Sequence, residues 1–162
     1  ILAAHAPGLQ KLAVKHAQGM VTWMMPAPVI AEARERVGPN FSITAQILCV
    51  LSSDAHVARA VARAYLAMYI ALPYYQAAFA KCGFEEADWT NGGSDALINA
   101  LTAWGDNAAI LARVDAFGRA GADRVVLNVV REDETQRAEG KPPVIIGDWV
   151  GIEGLAAILP KA

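Results

Sequence analysis

Short apolar runs alternate with helix-forming segments in the first part of the chain. Ile1–Ala4 (ILAA) has the pattern of the end of a buried strand, and Pro7-Gly8 begins a helix, since proline is suited to a first helical turn. Met20–Met25 (MVTWMM) is a second run of strand length, and Pro26 and Pro28 start the helix that follows it. The pattern predicts strand, helix, strand and helix in succession.

The clearest strand is Phe41–Leu51 (FSITAQILCVL). It alternates apolar and polar residues at first and then becomes wholly apolar, which is typical of a strand covered on both faces. Ser52, Ser53 and Asp54 follow it, and this group is better explained as a helix cap than as a catalytic group. A further short helix is predicted to start at Pro73.

The rest of the chain is predicted to contain one more strand, Arg124–Val130 (RVVLNVV). A helix begins at Ser94-Asp95 and restarts at Gly105-Asp106, so the region before this strand is expected to be helical. The segments expected to be loops are Phe84–Gly93 and the charged Arg131–Pro143, and the closing helix is expected at Val150–Leu159.

Four short strands that alternate with helices predict an α/β protein with a parallel sheet. Four strands cannot close a barrel. An open doubly wound sheet and part of a (β/α)8 barrel therefore both fit the pattern, and periodicity does not separate them.

The composition restricts the kind of protein. The chain has 162 residues, of which 55% are hydrophobic and 19% charged, and its formal net charge is -2. These values are typical of a single domain over residues 1–162. Because basic residues do not outnumber acidic ones, the charge is evidence against a nucleic-acid partner. The longest uncharged stretch, Ala64–Ala80, is interrupted by Pro73 and is too short to span a membrane. We therefore expect a cytoplasmic protein without a membrane segment.

The residue types that carry catalysis show no recognisable spacing. Cys49 and Cys82 lie far apart and form neither a CxxC motif nor a Cys/His cluster, so buried thiols are a better interpretation than a disulfide or a zinc site. No Ser/His/Asp order and no metal-ligand spacing occurs. The sequence thus predicts no metal site and leaves the catalytic residues unassigned.

Two candidate binding sites lie where predicted strands end, which is where parallel α/β proteins place their chemistry. The turn Ala4-His5-Ala6-Pro7-Gly8 aims backbone N–H groups and a helix dipole at one point, which favours a phosphate. Most turns of this kind only connect a strand to a helix. Trp23 and Met24 could line an aromatic substrate pocket, with packing in the core as the alternative.

Three stretches, taken in order, resemble the luciferase-like monooxygenase family, and within it the oxidoreductases that use the deazaflavin coenzyme F-420. The family's strand, Gly-Pro turn, helix and VTWM-like strand are similar to the first stretch, AAHAPGLQKLAVKHAQGMVTWMM. Its strand, Asp-capped helix and tyrosine-Leu-Pro-tyrosine helix pair resemble the second stretch, VLSSDAHVARAVARAYLAMYIALPYYQAAF. Its Gly-Asp helix, Ala-Gly-Ala turn and final barrel strand resemble the third stretch, WGDNAAILARVDAFGRAGADRVVLNVV. The resemblance covers about residues 1–130 and leaves 131–162 poorly matched.

The resemblance implies the C-terminal half of a (β/α)8 TIM barrel, strands five to eight, as a single partial domain. It implies that Ala4, His5, Ala6, Pro7 and Gly8 bind the cofactor's phosphate through backbone amides, with Ala6 standing where the family usually has glycine. Trp23 and Met24 would face the substrate. The complete enzyme would transfer a hydride between reduced F-420 and a small organic molecule, and the fragment alone would be inactive.

Two other functions fit the same residues. An FMN-dependent luciferase-like monooxygenase shares the fold and the phosphate turn. A non-catalytic partner subunit or a phosphate-ligand binding module belongs to a different class and would complete its sheet with another chain. Half a barrel exposes strand edges and apolar faces, so a homo-oligomer is one expectation.

Overall fold

The first elements of the fold follow the predicted order. A computed structural model of the protein describes residues 1–140 and 142–158. The chain begins with β1 (Leu2–Ala3), α1 (Pro7–His16), β2 (Gly19–Trp23), α2 (Ala27–Val37) and β3 (Ser42–Val50). These bounds confirm the predicted strands and helices of this part, each within a few residues.

The second part contains more elements than the sequence pattern predicts. It comprises α3 (Ala55–Ile70), α4 (Pro73–Lys81), α5 (Glu86–Trp89), α6 (Asp95–Leu101), β4 (Thr102–Trp104), α7 (Asn107–Arg119), β5 (Arg124–Glu132), α8 (Glu134–Ala138), β6 (Ile145–Gly147) and α9 (Trp149–Ala156). The predicted closing helix corresponds to α9, and Leu159, its predicted last residue, lies outside the described residues.

Three expectations for this part are wrong, and one further strand has no counterpart in the predicted elements. The predicted loop Phe84–Gly93 contains α5, and the predicted loop Arg131–Pro143 contains the end of β5 and all of α8. Residues 102–104 form strand β4, where a helical region was expected, because Thr102 and Trp104 pair with Leu48 and Val50 of β3. Strand β6 forms by pairing with the end of β5. Both short strands depend on a partner that is distant in sequence, so a local pattern does not reveal them.

The strand order separates the two predicted architectures. The sheet has the order β1-β2-β3-β5-β6, with β4 also paired to β3. Neighbouring strands are parallel except β5 and β6, which are antiparallel. A doubly wound sheet reverses its strand order at a switch point, whereas β1, β2, β3 and β5 follow one another in one direction. This order is consistent with part of a (β/α)8 barrel.

The sheet is covered on two faces, which we call outer and inner. On the outer face, Ile43, Ala45, Ile47 and Cys49 of β3 pack with buried residues of α1, α2, α7 and α9. On the inner face, Leu48 and Val50 pack with buried residues of α3, α4 and α6. The alternation of the β3 side chains between the two faces follows from the period of two along a strand. Burial raises the pKa of the Cys49 thiol to about 12, as expected for a core cysteine.

The edge of the sheet at β1 is more exposed than expected. Ile1 and Leu2 are 71% and 39% exposed, so the prediction of a buried strand is wrong for these residues, although Ala4 is fully buried. Helix α1 buries Gln10 and Ala13. Among the described residues, strand β1 pairs with β2 alone, because it lies at the end of the sheet. None of the helices in the described part of the chain is both long and apolar enough to cross a membrane.

Candidate functional site

The turn between β1 and α1 leaves backbone donors free. Ala6 occupies the N-cap position of α1 with extended backbone angles, and its side chain makes no capping hydrogen bond. Pro7 follows at the first helical position and has no N–H group. The N–H groups of Gly8 and Leu9 have no acceptor among the described residues. A Cβ atom at Gly8 would meet nothing within 4 Å, so the space beside this backbone is open.

Neighbouring strand β2 fixes the position of this turn. The N–H group of Ala4 donates to the carbonyl oxygen of Val21 at 3.0 Å, which continues the parallel pairing to the start of the turn. Ala4 is fully buried in the outer-face core. The turn therefore leaves a rigid strand and presents the positive end of a ten-residue helix.

A pocket of about 140 Å³ lies directly beside the turn. It is enclosed by the turn and by three helices, and its lining residues are His5, Ala6, Pro7, Gln10, Val29, Glu32, Arg36, Tyr74, Ala77, Ala78 and Lys81. Arg36 lies 3.7 Å from the Glu32 carboxylate and also donates a hydrogen bond to the Oε1 atom of Gln10. Since Lys81 adds a second cation, the pocket has an excess of one positive charge if His5 is neutral.

His5 connects the turn to helix α4. Its ring stacks on Tyr74 at 5.1 Å and on Tyr75 at 5.3 Å between centroids. Burial lowers the pKa of His5 below its ordinary value of 6.5, so the imidazole is neutral at pH 7. A neutral imidazole donates through one nitrogen only. The carbonyl oxygen of His5 accepts a hydrogen bond from the Nε2 atom of Gln10 at 3.3 Å, which ties the turn to α1.

The two residues predicted to face a substrate lie at the end of β2 in different environments. Trp23 is partly exposed on the inner face, its ring is 6.3 Å from that of Tyr69, and its carbonyl oxygen accepts a hydrogen bond from the Tyr75 hydroxyl at 3.1 Å. Its indole Nε1 atom is buried without a hydrogen-bond partner among the described residues. Met24 has a positive φ of 48° and is 1% exposed in the inner-face core.

Other predicted polar residues have structural roles. The Asp54 carboxylate caps α3 by accepting from the N–H groups of His56 at 2.8 Å and Val57 at 3.2 Å, which confirms the predicted cap. These two backbone donors lower the pKa of Asp54. In the described ranges, no three His, Cys, Asp or Glu side chains are close enough to hold a metal ion.

Several residues that the fold brings to these sites are not among those predicted from the sequence. Arg36 and Lys81 join the turn from helices α2 and α4. On the inner face, the Nδ2 atom of Asn128 donates to the Tyr65 hydroxyl oxygen at 2.7 Å, and the Tyr65 ring stacks on Tyr69. The four-residue spacing of Tyr65 and Tyr69 on one helix was the available signal, because such residues share a helix face. Nothing in the local pattern indicates their partner Asn128.

Comparison with known proteins identifies the fold. No protein-family model and no curated protein sequence matches the chain. The structure is similar to the coenzyme F-420 dependent tetrahydromethanopterin reductase from Methanopyrus kandleri, with a TM-score of 0.60 and 14% identity over 78% of this chain and 43% of that chain. It is also similar to an F-420-dependent secondary alcohol dehydrogenase in complex with an F-420-acetone adduct, with a TM-score of 0.54 and 13% identity over 80% of this chain and 41% of that chain.

These similarities establish a shared fold. The chain spans about two fifths of the length of the two matched structures. Both are named as oxidoreductases that depend on F-420, and at 13–14% identity the likeness concerns the arrangement of the backbone. The α/β architecture described above is consistent with part of the barrel of such enzymes.

Proposed function

We propose that the chain is the C-terminal half of a luciferase-like oxidoreductase barrel, with β1, β2, β3 and β5 as its fifth to eighth strands. The complete barrel transfers a hydride between reduced coenzyme F-420 and a small organic substrate. The one-directional parallel order of these strands and the shared fold with two F-420-dependent enzymes support this proposal. The cofactor supplies the redox chemistry, and the chain supplies binding and orientation.

The open turn after β1 is the observation that carries the proposal. The turn Ala4–Gly8 binds the cofactor's phosphate, using the free N–H groups of Gly8 and Leu9. Arg36 and Lys81 line the adjoining pocket and add positive charge. Ala4 contributes only through its position in the strand, because it is fully buried. These residues fit an anionic group, since Ala6 and Pro7 line the same pocket as Arg36 and Lys81 and the free N–H groups follow them directly in the chain.

Trp23 and Met24 mark the substrate side at the end of β2. The partly exposed Trp23 ring contacts the small-molecule substrate directly, whereas Met24 supports it from the core. Since Trp23 lies on the inner face, the substrate occupies the inside of the barrel. The turn Ala4–Gly8 would hold the phosphate end of the cofactor, and Trp23 would contact the substrate.

Titration of the complete barrel with F-420 and, separately, with FMN tests the proposal. We expect saturable binding of F-420 and much weaker binding of FMN, followed by fluorescence of the added cofactor. Tight FMN binding without F-420 affinity would instead identify an FMN-dependent monooxygenase. Binding of neither cofactor would contradict the oxidoreductase proposal and leave the partner subunit or phosphate-binding module.

A charge-removing variant tests the phosphate pocket. Lys81→Gln is expected to weaken F-420 binding about two- to fivefold, because an exposed charge pair contributes roughly 0.5–1 kcal/mol. Lys15→Gln is the matched control, since Lys15 lies in the last turn of α1, away from the open turn. The difference between the two variants should shrink at high salt. Equal weakening in both variants would show that only the overall charge matters.

A further inference from the structure

A group of aromatic and polar side chains lies on the inner face, separate from the pocket beside β1. We call Trp23, Tyr65, Tyr69 and Asn128 the tyrosine site. Trp23 of β2 pairs with Gln46 and Asn128 of β5 with Leu48, so both lie on the inner face, on either side of β3. Tyr65 and Tyr69 of α3 cover them, with ring centroids 6.1 Å apart.

The tyrosine site lies where the open part of the inner face meets its core. All four side chains are partly exposed. The inner-face neighbours of Asn128 along β5 are Val126 and Val130. Val126 is 45% exposed, whereas Val130 is 3% exposed. A small molecule on the open part of the inner face would therefore contact these four residues before it met the core.

Two neighbours hydrogen-bond the Tyr65 hydroxyl. The Asn128 amide donates to its oxygen at 2.7 Å, and the Tyr69 side chain lies within hydrogen-bonding reach, so the Tyr65 O–H group donates either to Tyr69 or to the acceptor of a ligand. Burial raises the pKa of Tyr65 above its usual value of 10.0, and the hydroxyl is therefore protonated at neutral pH. The indole N–H of Trp23 is a second donor without a partner among the described residues.

The strand positions next to the site are uncharged. The nearest inner-face positions on the three strands are Val21, Gln46, Leu48, Val126 and Val130. A charged ligand group would lose hydration there without gaining an ion-pair partner, which is unfavourable. A flat apolar group, in contrast, gains contact with the aromatic rings of Trp23 and Tyr69.

We propose that Tyr65, oriented by Asn128, donates a hydrogen bond to an oxygen atom of an uncharged substrate whose flat apolar part packs on Trp23 and Tyr69. The inference rests on the proposed oxidoreductase function and specifies its substrate class as neutral molecules with a carbonyl oxygen. Tyr65 contacts the substrate, whereas Asn128 is a positioning residue. This site is built from β2, α3 and β5 and shares no residue with the phosphate turn, so each has its own test.

Binding of acetophenone, an uncharged aryl ketone, tests the site without a cofactor. NMR titration of the purified, isotope-labelled protein should shift the side-chain signals of Trp23 and Asn128. Benzoate, which has the same ring and a negative charge, should bind more weakly. Tyr65→Phe keeps the ring and removes the donor, and we expect it to weaken acetophenone binding about three- to tenfold.

Asn128→Asp tests the direction of the hydrogen bond. A carboxylate accepts but does not donate, so the Tyr65 proton would turn toward it and no longer reach the ketone. We expect a loss similar to that of Tyr65→Phe, and no further loss when the two changes are combined. A purely structural role of Asn128 would not produce this non-additivity. Met68→Leu is the control on the same helix, since Met68 is 66% exposed, and it should leave binding unchanged.

The outcomes separate this inference from the proposed function. Unchanged acetophenone binding in Tyr65→Phe, tighter binding of benzoate than of acetophenone, or no acetophenone binding by the unaltered protein would overturn the inference. Thermal unfolding of each variant shows whether a loss of binding reflects loss of fold. Failure of the unaltered protein to bind F-420 would overturn the proposed function alone, because the ketone titration contains no cofactor.

Discussion

The edge and the centre of the sheet differ in how completely they are packed and hydrogen-bonded. The central strand β3 has neighbours on both sides, and all of its residues except the first are buried. The helix that follows it, α3, is capped by Asp54. At the edge, both residues of β1 are exposed and α1 has no capping side chain.

This difference separates a well-packed centre from an edge that binds the ligand under the proposed function. Arg34 reinforces the central region by donating to the carbonyl oxygens of Gly121, at 3.0 and 2.8 Å, and of Phe41 at 2.7 Å. In the part of the chain that the structure describes, the N–H groups of Gly8 and Leu9 at the edge have no comparable partner. Binding regions are often drawn from the less stable parts of a fold for this reason.

The largest expected effect is the loss of a core side chain. Phe117→Ala removes a ring that is 1% exposed in the outer-face core, and we expect it to lower the free energy of unfolding by about 3–5 kcal/mol. Leu12→Ala at the edge, where the side chain is 48% exposed, should change the free energy of unfolding by less than about 0.5 kcal/mol. Urea denaturation measures both. Similar losses would contradict the division into a stabilising centre and an open edge.

Substitutions at the N-caps of α3 and α1 should change the stability of the protein in opposite directions. Asp54→Ala removes the cap of α3 and is expected to cost about 1 kcal/mol of stability. Ala6→Ser supplies a cap that α1 lacks and should gain up to about 1 kcal/mol. The new hydroxyl oxygen would accept a hydrogen bond from one of the free backbone N–H groups, so Ala6→Ser should also weaken F-420 binding. Greater stability with unchanged F-420 binding would show that the free donors are not used by the ligand.

The pH dependence of stability should have a contribution from the centre. The backbone N–H of Ile43, at 2.7 Å, and the Arg34 guanidinium lower the pKa of Asp123 below its usual value of 3.8. The stabilisation is therefore present above pH 3.8 and is lost as the pH falls through the lower folded-state pKa. Asp123→Asn should make acid unfolding less steep in this range. An unchanged acid-unfolding curve would contradict this role of Asp123.

The last prediction concerns self-association at the edge of the sheet, where we expect the smallest change in stability. Leu9 and Leu12 of α1, the helix that follows the edge strand β1, are 45% and 48% exposed. We expect a polypeptide of residues 1–162 to self-associate, and replacement of both leucines by serine to reduce this association with little change in unfolding. Sedimentation velocity measures the association, with Met68→Ser as a control on an exposed apolar residue elsewhere. A monomeric, cooperatively folded unaltered polypeptide would count against the half-barrel proposal.

The predicted elements were correct where the pattern is local and long. The alternation in Ser42–Val50 and the cap at Asp54 could be recognised because each depends on residues close in sequence. Strands Thr102–Trp104 and Ile145–Gly147 could not, because three residues carry too little pattern and form by pairing with distant strands. The open turn was predicted, but its cations Arg36 and Lys81 belong to other helices.

The sequence by itself determined the α/β class, four of the strands, and the turn that begins with Ala4. These features follow from the periodicity of apolar residues and from the positions of proline and glycine. Only the tertiary structure decided that β1 is an exposed edge and that Asn128 reaches Tyr65, sixty-three positions away. Burial and side-chain contacts between distant elements depend on how those elements pack. Secondary-structure patterns encode which face of an element is apolar, but they do not encode which neighbour will cover it.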